Sequence, residues 1–334
     1  MGTALSRGFG DLVIWLSGYL VRAATVVIIL ASPIAAAAQE RFALVVEGAP
    51  GEEKYAEQHA GWREKLTKTL RETYKVPAQQ LVVLQGSGPE SPATADNVRA
   101  ALARFSGAMR PLDIALIVLI GHGTFDGEHA KFNLVGPDLS ASEWKALVDT
   151  LPGEIVFVNT ASASSPFIQA LAGPKRVVIT ATAIPAQRFH TVFAEYFIDG
   201  LAESDADIDR NGRRSVFEAF AYASLRVRQH YEQRGTLATE RALLDDDGDG
   251  KGRESAGEGK DGNRASLAYL DADRAAIVTD PDMLRLMQRR DALLLEIDEL
   301  KKRRLMMPSL EYDGLLEKLL IDLALVSREI RAKT

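Results

Sequence analysis

Two apolar runs that stop abruptly on small polar residues constrain this chain most. Ile114 to Ile120 is continuous apolar sequence and ends in Gly121-His122-Gly123. Ile155 to Val158 is shorter and leads, after Asn159, into Thr160-Ala161-Ser162-Ala163-Ser164-Ser165. A strand without a polar side must be covered on both faces, as happens in a parallel sheet sandwiched by helices. In open sheets of that kind, ligands and reacting groups gather just beyond the carboxyl ends of the strands. One such end offers a histidine, and another offers a cluster of serines.

The flanking sequence supplies the covering helices. Phe42 to Val46 reads as a strand, followed by a long charged helix over Glu52 to Tyr74 and a second strand over Leu81 to Leu84. Ala95 to Phe105 is helical, with Thr94 or Asp96 near its cap. Ser140 and Glu143 form a capping box for a helix running to Val148. A short helix ending at Leu171 has Pro166 in its first turn, Arg176 to Thr180 is another strand, and a helix covers about Thr191 to Leu201. Alternation of this kind predicts an α/β fold with an open, mostly parallel sheet flanked by helices.

The two ends differ from this body. Arg7 and Arg22 precede an apolar run from Ala23 to Ala31, and Ala36 and Ala38 satisfy the small-residue rule for signal cleavage, with Gln39 as the new N-terminus. An uncleaved anchor is the alternative, because Leu12 to Val21 is also largely apolar. Arg22 breaks that stretch short of the ~20 apolar residues a span requires. Residues 1–38 are therefore expected to be a signal peptide, and the mature protein periplasmic or secreted. From Pro281, Leu286, Leu293, Ile297 and Leu300 share a helical stripe interrupted by Arg290. A second helix places Tyr312, Leu316, Leu319, Leu323, Val326 and Ile330 at alternating intervals of four and three, a heptad pattern. Residues 281–334 are expected to form an α-helical hairpin or coiled-coil appendage to a domain spanning 39–280, with self-association through these helices as its sharper use.

With 334 residues and a formal charge of −6, the chain carries no Lys/Arg cluster of the kind nucleic-acid binding needs. It has no cysteine, which excludes disulfides, thiolate metal sites and thiol nucleophiles.

His122 stands between two glycines, whose small size lets a substrate backbone approach the imidazole and leaves the Gly123 N–H free to donate. The serine cluster is less telling alone, since Ser164 before Pro166 can cap the next helix. Together, Leu119-Ile120-Gly121-His122-Gly123 and Val156-Phe157-Val158-Asn159-Thr160-Ala161-Ser162-Ala163-Ser164-Ser165 resemble the two active-site blocks of the caspase-fold cysteine peptidases, nearest to the legumain (asparaginyl endopeptidase) branch. The resemblance continues through Val177 to Thr182, Phe193 to Phe197 and Thr239 to Asp249, so it covers about residues 41–275. It implies a caspase-like sheet, His122 as the catalytic histidine, Gly123 as the oxyanion glycine and a peptide or protein ligand. Ser162 falls where that family has its nucleophilic cysteine, Thr160 where it has an acidic residue, and Ser165 where it has glycine. A serine hydroxyl, unlike a thiol, needs an aligned general base and usually a third orienting group, and the sequence offers no obvious third member.

Asp207-Ile208-Asp209-Arg210-Asn211-Gly212 with Glu218 at the twelfth position fits the EF-hand loop pattern, although Arg214 takes the normally apolar eighth position. Asp207, Asp209, Asn211 and Glu218 are thus candidate Ca²⁺ ligands. Ser215 and Glu218 equally read as a capping box for a helix from Val216 to Gln229, and the two are compatible. The second acidic run, Asp245 to Gly250, ends on Ala256 at the twelfth position and is expected to be a flexible, solvated loop. His59 lies in the charged helix, His129 in a polar loop, and His190 and His230 have no sequence neighbours suggesting metal; none receives a role. No cofactor is required beyond the candidate Ca²⁺.

A chain built this way is expected to be an exported, legumain-like pseudopeptidase that binds or scaffolds peptides. An active hydrolase is the alternative, with Ser162 as nucleophile, His122 as base and the N–H groups of Gly123 and Ser162 holding the oxyanion. A third is a periplasmic assembly module working through its C-terminal hairpin.

Overall fold

The apolar run Ile114–Ile120 forms β3, a strand buried along its whole length near the middle of a six-stranded sheet. The computed structural model of the protein describes residues 39–86, 90–254, 261–271, 281–304 and 307–333. The signal-peptide or anchor expectation for residues 1–38 lies outside them. β1 (Arg41–Glu47) lies beside β3 and carries β2 (Leu81–Leu84) on its other edge. On the opposite side β3 pairs with β7 (Glu154–Asn159), which pairs with β8 (Arg176–Thr180). These pairings are all parallel; only the edge strand β9 (Leu243–Asp245) runs antiparallel, against β8. The expected α/β class and mostly parallel sheet are what the chain adopts.

Alternation along the strands divides the core in two. Leu116, Val118 and Ile120 of β3 join Val156 and Val158 of β7 on one face, while Ala115, Ile117, Leu119, Ile155 and Phe157 point to the other. The first face is covered by α1 (Glu53–Glu72), α5 (Phe193–Ala202) and α6 (Val216–Gln233). The second lies under α2 (Ala95–Ala108), α3 (Ala141–Val148) and α4 (Pro166–Leu171). The helix starts follow the sequence: Thr94 accepts from the Asn97 N–H, and the Ser140–Glu143 and Ser215–Glu218 capping boxes are both formed.

Two features escape the sequence pattern. Between β3 and α3 the chain makes a small antiparallel sheet of β4 (Gly123–Phe125), β5 (Ala130–Phe132) and β6 (Leu139–Ser140). Strands of two or three residues are too short to show a period-two pattern. The acidic run after β9 also corrects the solvated-loop expectation. Asp245, Asp246 and Asp261 are buried, and Asp246 accepts hydrogen bonds from the N–H groups of Gly262 and Ala265 at 2.9 and 2.7 Å. These aspartates serve as acceptors for a tight loop that lacks regular secondary structure.

α7 (Pro281–Lys302) and α8 (Ser309–Lys333) pack against each other as the expected helical hairpin, with Leu286, Val326 and Ile330 in contact. The heptad positions of α8 are buried or half-buried, whereas Leu310, Leu315, Leu320, Ile321 and Leu325 are exposed. No helix among the described residues is long and apolar enough to cross a membrane.

Candidate functional site

The carboxyl ends of β1, β3, β7 and β8 meet along one edge of the sheet, and the loops there converge on His122 and Ser162. Gly123 lets them approach. A Cβ on it would stand 2.4 Å from the Ser162 carbonyl oxygen and 3.0 Å from that of Lys131. Ser162 is 3% exposed, and the residue after it, Ala163, holds φ at +52°, a left-handed conformation that costs a non-glycine residue ~1–2 kcal/mol. That turn is fixed from outside: the Ala163 N–H donates to the Gln187 carbonyl at 2.7 Å, and the Gln187 side chain bonds Thr239 and Ala183.

Ser162 and Gly123 are paired with each other. The Ser162 hydroxyl donates to the Gly123 carbonyl at 3.1 Å and accepts from the Gly123 N–H at 3.3 Å. Among the described residues no hydrogen bond joins Ser162 to His122. The hydroxyl proton therefore points at a backbone carbonyl, and the expected oxyanion donor on Gly123 is occupied by the hydroxyl itself. Ser164 does not cap α4 as its sequence position suggests; its hydroxyl bonds that of Thr182 at 3.1 Å.

His122 faces a different set of partners. Its ring lies 5.1 Å from His59 and 5.7 Å from His190, centroid to centroid, with His59 and His190 5.6 Å apart. The imidazoles are gathered by three separate elements. On α1, Tyr55, His59, Trp62, Leu66 and Leu70 follow the i, i+4, i+7 spacing of an inner helical stripe, so His59 is a core position despite its charged neighbours. His122 comes from the end of β3. His190 ends the loop after β8, tied down where the Thr191 hydroxyl donates to the Thr160 carbonyl at 2.5 Å and where Glu240 accepts from the Val192 and Phe193 N–H groups at 2.8 and 3.1 Å. Tyr55 packs edge-on against His122 and stacks on His190, and Trp62 stacks on His190 from the other side.

The electrostatics of this cluster disfavour positive charge. Burial, then the rings of His122 and His190, hold His59 down to about 3, and burial, His122 and Lys54 hold His190 down to about 4. Burial also lowers His122, against a hydrogen bond to the Pro50 backbone and the nearby Glu52. The absence of any role assigned to His59 and His190 from sequence is therefore corrected. The missed signal was His59 at a core position of an amphipathic helix; His190 carries no such local mark.

The acidic loop before α6 is assembled as well. Asp207, Asp209 and Glu218 each place a carboxylate oxygen within 4.8 Å of the others. Asp207 accepts from the N–H groups of Asn211 and Gly212 at 2.9 and 2.8 Å, and Asn211 accepts from that of Arg213 at 2.7 Å. Glu218 is buried and accepts from the Ile208 and Ser215 N–H groups, both at 2.8 Å. Burial, then Glu218, pushes the Asp209 carboxyl up to about 6.

No protein-family model matches this chain, and no curated protein matches it. Among solved structures, a Geobacter sulfurreducens protein determined by structural genomics is similar at 12% identity and a TM-score of 0.40, covering 62% of this chain and 92% of its own. A secreted C11 cysteine protease from Bacteroides thetaiotaomicron, solved with an irreversible peptide inhibitor, is similar at 11% identity and a TM-score of 0.33, covering 57% of this chain and 60% of its own.

Proposed function

We propose that the chain is an exported, legumain-like caspase-fold pseudopeptidase that binds a peptide or protein ligand at the carboxyl edge of its sheet without cleaving it. The observation that carries this reading is the mutual pairing of Ser162 with the two backbone groups of Gly123. A nucleophilic serine needs its proton directed at a base and its oxyanion donors vacant. Here the proton is directed at a carbonyl, the Gly123 donor is taken, and His122 lies among other imidazoles. Ligand binding is supported by the loop between β8 and His190, where Ile184 and Phe189 are 52% and 70% exposed beside the site.

A fluorophosphonate probe tests the chemistry. The wild type is expected to remain unlabelled while folded; labelling that disappears in Ser162→Ala would overturn the pseudopeptidase in favour of the hydrolase. Selection from a displayed peptide library tests the binding. Enriched peptides are expected to lose affinity for Phe189→Asp, and failure to enrich any sequence would remove the ligand. Export predicts a mature chain beginning at Gln39, which intact-mass measurement of the native protein reads directly.

A further inference from the structure

We propose that His59, His122 and His190 form a binding site for one divalent transition-metal ion, best matched by zinc. The site lies beside Ser162 but rests on different residues, and it holds whether or not Ser162 is reactive.

The case starts from orphaned nitrogens. His59 has no exposed surface, and neither of its ring nitrogens has a hydrogen-bond partner; both ring nitrogens of His190 are likewise buried and unpartnered. A neutral imidazole carries one donor and one acceptor, and leaving such groups buried and unmet costs ~1–3 kcal/mol each. Native interiors rarely tolerate this, and an unmodified imidazole lone pair is the commonest protein ligand for a transition metal.

The geometry fits a metal. One nitrogen from each ring lies within 4.8 Å of the other two. Imidazoles on a tetrahedral zinc at ~2.0–2.1 Å place their ring centroids roughly 5.2 Å apart and their ligating nitrogens roughly 3.4 Å apart. The observed centroid separations are 5.1, 5.6 and 5.7 Å. Closing the nitrogens by an ångström or so (small rotations of rings already facing one another) would complete the site.

The surroundings supply what metal-bound histidines usually have. The His122 ring is hydrogen-bonded to the Pro50 carbonyl, which fixes its orientation and leaves the other nitrogen for the metal. Trp62 and Tyr55 wall the cluster with aromatic rings and limit access by water. His122 and His190 are only half-buried, so the fourth coordination position opens toward solvent. Three histidines with an open position make a site of the exchangeable-ligand type rather than a closed structural one. The ligand set is all nitrogen, which selects zinc, copper, nickel or cobalt over calcium and magnesium, and tetrahedral geometry favours zinc among them.

The test uses untagged, full-length protein stripped with a chelator and titrated with Zn²⁺ by calorimetry, with Co²⁺ absorption as the reporter of ligand type. One equivalent of Zn²⁺ is expected to bind, and Co²⁺ is expected to give the intense visible bands of a tetrahedral nitrogen site. His122→Ala and His190→Ala, both at half-buried positions, should weaken Zn²⁺ by at least the roughly 10–100-fold that loss of a mere outer partner costs. His129→Ala, in an exposed loop, should bind as wild type does. Absence of saturable binding would overturn the proposal. So would binding that survives His190→Ala but is lost in Asp209→Ala, because the ion would then sit on the acidic loop. A folded His190→Ala variant, checked by circular dichroism, that keeps wild-type affinity would overturn it equally.

Discussion

Replacing His59 by phenylalanine should stabilise the metal-free protein, an unusual outcome for a fully buried polar residue and one the structure lets us size. The ring sits on the inner stripe of α1 against Trp62 and beside His122 and His190, with both nitrogens unpartnered. Removing two unmet groups recovers ~1–3 kcal/mol for each. Fitting the slightly larger phenyl ring into a packed position costs ~1–3 kcal/mol. The net expectation is a gain of about 1–3 kcal/mol, equivalent to a rise in Tm of roughly 2–4 °C per kcal/mol for a domain of this size.

Scanning calorimetry in EDTA measures the gain, and the same scan with excess Zn²⁺ should invert the order. A ligand that binds only the native state at 100 times its Kd adds ~2.7 kcal/mol, and only the wild type would retain the full three-histidine site. Acidification in EDTA offers an internal check. His59 has its folded pKa depressed to about 3 from an ordinary 6.5, so its contribution is present above pH 6.5 and is lost as pH falls toward 3. His59→Phe should therefore flatten the acid limb of the stability curve. If the variant is instead less stable than wild type by more than ~1 kcal/mol in EDTA, the ring nitrogens are already satisfied and the orphan-nitrogen argument is wrong.

Three further outcomes follow from other parts of the structure. Gly123→Ala should cost roughly 2–4 kcal/mol in denaturant unfolding, because its Cβ would collide with the Ser162 carbonyl and the two Ser162–Gly123 hydrogen bonds would be lost; a change below ~1 kcal/mol would mean that β4 yields easily. Millimolar Ca²⁺ should raise Tm through the loop of Asp207, Asp209, Asn211 and Glu218, and Asp207→Asn should abolish the response; an unchanged wild-type Tm would leave that loop as a capping structure alone. Light scattering should show the wild type associating through the exposed leucines of α8 and Leu320→Glu with Leu325→Glu reverting to monomer, whereas a monomeric wild type would rule that association out.

Where the sequence was legible, a local rule coincided with the tertiary one. The uninterrupted apolar run of β3 required burial on both faces, so its central place in a parallel sheet followed directly. Thr94, Ser140 and Ser215 announced helix starts because a cap satisfies donors within its own turn. The same local logic failed for Ser164 and for Asp245 and Asp246, whose partners are set by loops that the chain pattern does not describe. It failed most usefully at the histidines. His59 and His190 are 131 positions apart and share no motif; only the packing of α1 over the sheet brings them together. Reading α1 by its inner stripe rather than by its neighbours would have exposed half of that pair.

The two readings of this edge of the sheet meet at one nitrogen. His122 has two, and its hydrogen bond to the Pro50 carbonyl leaves one lone pair facing the site. That lone pair can receive a proton from Ser162 or bind a metal ion, but it cannot do both at once. Ser162 already sends its proton to the Gly123 carbonyl, while His122 lies 5.1 Å, centroid to centroid, from a buried imidazole with no other partner. The local energetics therefore favour the metal. Zinc loading and fluorophosphonate labelling should consequently exclude each other. If the wild type were labelled when stripped and protected when loaded, His122 would be shown to switch between base and ligand, and the pseudopeptidase reading would hold only for the metal-bound form.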